Sequence, residues 1–207
     1  MRIIDVSLEI KPGMIVYPGN SEPKINPVRR VPESSTSISE IILGSHTGTH
    51  IDTKLHIEQN PLEEIIARPI CGECRVLDLT ECKECIKEED LIKKKFKNSI
   101  VLLKTANSLN GYEKFNENFV YLREDAARYL VGNGVKVIGF DYLSVQKFRQ
   151  GNQNTHKNLL DSAYVIEGLN LAEAVERSYF LICAPLKVNG IDGVPARVLL
   201  IDQSPGN

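Results

Sequence analysis

Titratable side chains are concentrated in one short stretch of this chain, SHTGTHIDTKLH at residues 45–56, which holds three of its four histidines. Its imidazole and carboxylate residues all stand at even positions: His46, His50, Asp52 and His56. In an extended backbone these side chains would point to one face, whereas a helix would turn Asp52 about 240° away from His46. The β-branched residues between them also oppose a helix. We therefore predict an extended segment that bends at Gly48.

Such a segment offers the chemistry of a metal site. Imidazole and carboxylate groups are suitable ligands for zinc, manganese or iron. Two imidazoles and a carboxylate would leave a coordination position for water, as catalytic metal sites do. Taken alone, any one of these histidines is more simply explained as a chance residue on a polar loop. Further along the chain, His156 precedes Glu167, which closes the apolar run AYVI and is either a solvated strand end or another ligand.

The cysteines offer a second candidate centre. Two C-x-x-C pairs stand in CGECRVLDLTECKEC, formed by Cys71, Cys74, Cys82 and Cys85. This spacing occurs in zinc sites and in redox pairs. The intervening RVLDLT has the alternation of a strand, which would hold the pairs roughly 20 Å apart, too far for four sulfurs at ~2.3 Å from one zinc. We expect four reduced thiols without a role, and the alternatives are redox pairs or a metal knuckle.

Apolar periodicity predicts the elements that would position these groups. Strands are indicated near residues 2–9, 38–44, 75–80, 99–104, 136–141, 163–167, 179–183 and 196–202. Helices are predicted from Glu88, from Arg123 to a stop at Asn133-Gly134, and from Leu169 with an N-cap at Asn170 and a capping box to Glu173. We expect a mixed α/β domain whose sheet or sheets carry helices on one side.

Length and composition fit one domain over residues 1–207, with 42% hydrophobic and 25% charged residues. The net charge of -2, from 25 basic and 27 acidic residues mixed along the chain, provides no field to hold a nucleic acid or an anionic membrane. The N-terminal MRIIDVSLEI lacks a secretory signal, and no apolar run approaches the ~20 residues of a membrane span. We expect a cytoplasmic protein whose partners are small molecules or another protein.

Four separated segments follow a further pattern. HTGTHIDTKLH matches H-x-G-T-H-x-D-x-P-x-H except at Lys54, DVSLEIKPGMIVYPGN begins D-x-S and ends close to aromatic-Pro-Gly-Asp, GFDYLSV matches G-x-D-x-x-S, and APLKVNGIDGVPARVLLID matches P-L-x-x-x-G-x-D-G-x-P-x-R. In this order they resemble the signature of the cyclase family of metal-dependent hydrolases, which includes bacterial kynurenine formamidase and isatin hydrolase.

The resemblance implies a swivelling β/β/α fold that assembles as a homodimer or homotetramer and binds one or two Zn²⁺, with Mn²⁺ as an alternative. It implies that a first metal is bound by His46, His50 and Asp52, and that Asp52 bridges to a second metal on His156 and Glu167. His56 would lie beside the metal water as a proton shuttle or hydrogen-bond partner. The implied reaction is hydrolysis of a small-molecule amide, of formamide or lactam type, by metal-activated water.

Other residues would surround such a pocket. Lys54 replaces the proline of the signature and could contact an acidic substrate or be solvated. Tyr17, followed by Pro18-Gly19, could cover the pocket or form only a turn. Arg197 is expected to pair with an internal carboxylate such as Asp192 or Asp141, and a contact with the substrate is the alternative.

Substrate and function retain alternatives. The absence of tryptophan and an aromatic content of 6% leave few ring contacts for an aryl substrate. A non-catalytic metal-binding or regulatory protein on the same fold is one alternative to a hydrolase, and a redox module built on the cysteine pairs is another.

Overall fold

A β-sheet that closes on itself forms the centre of the computed structural model, which describes residues 1–59 and 68–203. The strands are, in chain order, Arg2–Asp5 (β1), Lys24–Arg29 (β2), Ile38–Ile42 (β3), His50–Asp52 (β4), Ile70–Asp78 (β5), Cys85–Ile86 (β6), Ile100–Lys104 (β7), Tyr121–Leu122 (β8), Val137–Phe140 (β9), Tyr164–Glu167 (β10), Ser178–Pro185 (β11) and Gly193–Asp202 (β12). The helices are Glu88–Ile92 (α1), Ala106–Asn110 (α2), Glu124–Gly132 (α3) and Asn154–Leu160 (α4), with a 3-10 turn at Lys54–His56.

Closure of the sheet depends on β4. The strand order is β12-β11-β5-β7-β9-β10-β4, and β4 pairs again with β12. The four central strands β5, β7, β9 and β10 are parallel, whereas β4 is antiparallel to both of its neighbours. The long strand β12 also pairs with β1 outside the closed ring. The three residues of β4, all buried, therefore lie between β10 and β12.

Two apolar clusters fill the two faces of this sheet. Leu77 and Leu103 pack in one cluster with Leu130 of α3. Their strand neighbours Val76 and Leu102 belong to the other cluster. Because consecutive residues of a strand point to opposite faces, the first cluster lies under the helices and the second fills the interior of the closed sheet. The expected mixed α/β architecture is confirmed.

All eight predicted strands are confirmed, with shifted ends. The helix from Arg123 is also confirmed, and it ends where Gly134 adopts a φ of 83°. The helix predicted from Glu88 is shorter than expected, because it ends at Ile92 before the lysine run. Strand β4 lies within the segment that was predicted to be extended. Strands β2, β6 and β8 and helices α2 and α4 were not predicted, and α4 is the element that carries His156.

The prediction of a helix from Leu169 is wrong. The backbone N–H of Asn170 donates to the carbonyl of Val6, and the Asn170 side chain accepts from Ala172 N at 3.2 Å, which forms a turn instead of a helix cap. Lys104 donates through Nζ to the carbonyls of Ala172 and Ala174, at 3.1 and 2.7 Å. Tertiary partners thus bind the backbone groups that a helix would have used.

Strands β2 and β3 form a hairpin outside the closed sheet. Every residue of both strands is exposed, and Ile25 stands opposite Ile41 across the pair. Among the described residues, no helix is long and apolar enough to cross a membrane.

Substitution of Gly168 should destabilise the fold strongly. This residue follows β10 with a φ of +70°, and an added Cβ would lie 2.4 Å from the carbonyl oxygen of Gly48. The positive φ is unfavourable for alanine, and the clash is with backbone, which cannot move aside as a flexible side chain could. We therefore expect Gly168→Ala to reduce the free energy of unfolding by about 2–4 kcal/mol in urea denaturation. The matched control is Gly132→Ala at the end of α3, where a Cβ meets open space, and it should change stability by less than about 1 kcal/mol.

Candidate metal centre

Five short segments converge on one site at the end of the closed sheet. The turn before β4 carries His46, β4 carries His50 and Asp52, the 3-10 turn carries His56, α4 carries His156, and β10 ends on Glu167. The rings are in contact, with centroid distances of 4.7 Å for His46 and His50, 4.5 Å for His46 and His56, and 5.1 Å for His56 and His156. The structure therefore brings together all six residues that the sequence singled out for metal binding and proton transfer.

The backbone of the histidine stretch is extended only in part. Gly48 has a φ of +62°, so the predicted bend is present. The backbone is regular strand only at His50–Asp52, and Lys54–His56 forms a 3-10 turn. The prediction of one extended segment is wrong for this second part, because the N–H of His56 bonds to the carbonyl of Thr53. The turn, and not strand alternation, brings His56 back towards Asp52.

Asp52 lies at the centre of the site and is completely buried. Its Oδ1 is 3.0 Å from His46 Nδ1 and 3.2 Å from His50 Nε2, and its Oδ2 is 3.6 Å from His156 Nε2. Neither oxygen has a partner with hydrogen-bond geometry in the described part of the chain, and neither does His50 Nε2. Buried polar atoms without such partners are costly, and a cation placed among them would remove the cost.

The ligand atoms form two compact sets that share Asp52. In one set, atoms of His46, Asp52 and His56 lie within 4.8 Å of one another, and in the other, atoms of His50, Asp52 and Glu167 do so. Nitrogen and carboxylate donors of this kind suit zinc or manganese, so the residues fit a metal centre. Asp52, the residue predicted to be shared by two metals, is the member common to both sets. The grouping of the histidines differs from the expected one, since His56 lies at ligand distance beside His46.

Two hydrogen bonds orient the second set. His50 Nδ1 lies 2.9 Å from the carbonyl oxygen of Gly48, which places the ring proton on Nδ1 and turns Nε2 towards the carboxylates. Glu167 accepts through Oε1 from the N–H of Val145 at 2.7 Å and lies 3.0 Å from His156 Nε2. These contacts hold the donor atoms in place before any metal binds.

The carboxylates of the site favour protonation of the histidines around them. Burial opposes a charge on His50, but Asp52 and Glu167 raise the pKa of its ring to about 10. Burial also opposes a charge on His46 and on His156, but Asp52 raises the pKa of His46 and Glu167 raises the pKa of His156. Burial alone would raise the pKa of both carboxyl groups. Instead, His46 and His50 hold the pKa of Asp52 well below its usual range, and His156 lowers the pKa of Glu167. A bound metal would take the place of these protons.

The two expected substrate contacts lie near the site. Tyr17 is half-buried and makes edge contacts with the rings of Phe115 and Phe148, at centroid distances of 5.3 and 5.7 Å. Its pKa is raised by burial and by the charge of Glu167, which places its hydroxyl in the electrostatic field of the site. Lys54 is partly buried in the 3-10 turn that carries His56.

The sequence reasoning missed the role of Asp192. Arg197 was expected to pair with Asp192 or Asp141, and this is wrong, because it pairs with Asp5. Asp141 instead accepts from the backbone N–H and the hydroxyl of Thr105, at 2.7 and 2.8 Å. Asp192 Oδ2 lies 3.0 Å from His46 Nε2. The aspartate of the G-x-D-G element, five residues before Arg197, is the signal in the sequence that marks this residue.

The cysteines take no part in this centre. Strand β5 contains Cys71 and Cys74. All four cysteines of the two C-x-x-C motifs are free thiols. Neither compact set of candidate ligands in the described residues includes a cysteine. Burial raises the pKa of Cys74 to about 12 and that of Cys82 to about 11, whereas reactive redox thiols have lowered values.

Comparisons with known proteins agree with the geometry. Residues 4–147 match the Cyclase family model. A kynurenine formamidase from Salinibacter ruber is 29% identical over 208 residues, which cover 98% of each chain. A structure described as a predicted metal-dependent hydrolase from Bacillus stearothermophilus has a TM-score of 0.81 at 35% identity, covering 96% of this chain and 97% of that one. Isatin hydrolase A from Labrenzia aggregata shares the fold, with a TM-score of 0.78 at 20% identity over 96% of this chain and 93% of that one. The expected cyclase-like fold is confirmed.

Binding of Zn²⁺ to the metal-free protein should weaken as the pH falls. A ring with a pKa of about 10, as for His50, carries a proton throughout the neutral range and must lose it to become a ligand. Release of one proton or more implies at least a tenfold loss of affinity per pH unit, which competition with a chromophoric chelator at about pH 6, 7 and 8 would measure. An affinity that stays constant over this range would show that these histidines are not the ligands.

Proposed function

The chain belongs to the Cyclase family, and we propose that it is a metal-dependent hydrolase that cleaves an amide bond of formamide or lactam type in a small molecule. The observation that carries the proposal is the completely buried carboxylate of Asp52, shared by two sets of ligands and without hydrogen-bond partners among the described residues. The kynurenine formamidases to which the chain is similar make an aryl formamide the first substrate to test.

Zn²⁺ is the proposed metal, and Mn²⁺ is the alternative. The ligands would come from His46, His50, Asp52, His156 and Glu167, with Asp52 available to two ions. When bound, the metal supplies an activated water and polarises the carbonyl of the substrate. The carboxylates and imidazole rings of the chain would surround the charge of the metal ion in a buried site, where electrostatic interactions are strong.

His56 is the proposed proton carrier. Burial lowers the pKa of its ring, so the ring is neutral near neutral pH and has a nitrogen free to accept a proton. It contacts both His46 and His156 and therefore lies between the two ligand sets. A ring nitrogen of His56 would take a proton from the attacking water and return it to the leaving nitrogen.

Tyr17 and Lys54 are the proposed substrate contacts. The edge contacts of Tyr17 with Phe115 and Phe148 form an aromatic wall that could pack against the ring of an aryl amide. Lys54 shares the 3-10 turn of His56 and would favour a substrate with a carboxylate. A substrate with an aryl amide and an acidic group would use both contacts.

Metal analysis combined with a panel of formanilides and lactams tests the proposal. We expect zinc or manganese in the wild type, loss of metal and turnover in His46→Ala, and full activity in the control Cys71→Ala, whose side chain is exposed. His56→Ala should retain metal and lose about 10²–10⁴-fold in kcat.

Metal kept in His46→Ala and lost in Cys71→Ala would overturn the assignment in favour of the cysteine pairs. Bound metal without turnover of any substrate would favour a regulatory protein, and loss of metal in His56→Ala would make His56 a ligand.

We also propose that the protein is a cytoplasmic homo-oligomer, a dimer or tetramer, in which a second copy covers the hairpin of β2 and β3. Two-stranded hairpins are marginally stable in water unless other elements pack on them. Ile25 and Ile41 face each other with 41% and 63% of their surfaces exposed, and Val28 is 60% exposed. Self-association through the same surface of each copy is the commonest symmetric arrangement, and it would bury these side chains.

A charge on the hairpin should dissociate this assembly. We expect multi-angle light scattering to give a dimer or tetramer for the wild type and a smaller species for Ile41→Lys, because the lysine would have to be buried without a partner. Ile92→Lys is the matched control, since Ile92 is 58% exposed on α1 and outside the hairpin. A monomeric wild type, or an unchanged mass for Ile41→Lys, would contradict this interface.

A further inference from the structure

A short segment before β12 clamps the histidine stretch from outside. The N–H and hydroxyl of Thr53 donate to the carbonyls of Asp192 and Ile191, at 3.0 and 2.8 Å. Gly193 lies so close to His46 that a Cβ there would be 2.7–2.9 Å from three atoms of the imidazole. The ring of His46 therefore packs flat against backbone, and only a glycine at this position leaves room for it.

The two nitrogens of the His46 ring each face a carboxylate, but in different geometries. Nε2 lies 3.0 Å from Asp192 Oδ2 with the geometry of a hydrogen bond. Nδ1 lies at the same distance from Asp52 Oδ1, yet that oxygen has no partner with hydrogen-bond geometry among the described residues. The proton of a neutral His46 thus belongs on Nε2, where it donates to Asp192, and the lone pair of Nδ1 is directed into the metal site.

We propose that Asp192 is the positioning residue of His46, whose carboxylate selects the Nε2–H form of the ring and so presents Nδ1 to the metal. The inference rests on the proposed metal-dependent function and adds a residue to it. A carboxylate that accepts the second N–H of a metal-binding histidine fixes the tautomer and the orientation of the ring and increases its basicity. Asp192 would not be a ligand in this arrangement and would act on the metal through His46.

The rest of the site shows why His46 needs such a partner. His50 has its tautomer fixed by the carbonyl of Gly48, a backbone atom that no side-chain substitution removes. His46 stands in the turn before β4 and belongs to none of the strands of the described residues. The Asp192 side chain is 46% exposed, and its backbone carbonyl, not its carboxylate, holds Thr53. Replacement of the carboxylate should therefore leave the clamp and the fold intact.

Zinc affinity and the tautomer of His46 test this role separately from turnover. Chelator competition with Zn²⁺ should show a 10–100-fold loss of affinity in Asp192→Ala. Asp192→Asn should lose less, because the amide oxygen can still accept the N–H. In the zinc-loaded protein labelled with ¹⁵N-histidine, the wild type should show His46 protonated at Nε2, and this signal should weaken in Asp192→Ala.

The matched control is Asp5→Ala. Asp5 has a similar side-chain exposure of 39% and pairs with Arg197 of β12, away from the ring of His46, so its loss should leave zinc affinity unchanged. Equal zinc affinity of Asp192→Ala and wild type would overturn the assignment of Asp192 and leave the proposed hydrolase standing. Weaker affinity with an unchanged tautomer would also overturn it, as the effect would then be structural. A wild type that binds no Zn²⁺ would remove both proposals.

Discussion

The buried carboxylate of Asp52 is the constraint around which the site is arranged. An ionised carboxylate that leaves water without hydrogen-bond partners is costly unless positive charge surrounds it. Here the surrounding charge comes from the imidazoles of His46, His50 and His156, within 3.0–3.6 Å of its oxygens. Such a group is poorly suited to stabilising a fold by itself. It is well suited to binding a cation, because the energetic cost of its burial has already been met by folding.

Closure of the sheet provides the burial. Strand β4 has only three residues, and it lies between β10 and β12, so Asp52 is enclosed by ladders on both sides. The same register places His50 opposite Glu167. Gly168 permits the close approach of the two segments beside this pair, since a Cβ there would lie 2.4 Å from the carbonyl oxygen of Gly48. The apolar cluster inside the closed sheet thus provides the low-dielectric environment in which the charges of the site act.

Charge balance links binding to catalysis in this arrangement. The metal-free histidines hold protons that an ion would displace, whereas burial keeps the ring of His56 neutral. Residues with different protonation therefore stand side by side in one pocket, which is the pattern expected where ligands and a proton carrier have separate roles. The cysteines show the opposite behaviour, since burial raises the pKa of Cys74 and Cys82 and makes their thiols poor nucleophiles.

Local patterns in the sequence determined eight of the described strands, helix α3, the bend at Gly48 and the identity of the donor residues, because alternation, capping and ligand chemistry are expressed in neighbouring residues. The tertiary structure alone decided the rest. The segment from Leu169 has a helical pattern, but Lys104 and Val6 bind the backbone atoms of its first residues. The contact of Asp192 with His46 and the hydrogen bond from Thr53 to Ile191 likewise join residues about 140 positions apart in the chain, and pairings of that range leave no trace in local periodicity.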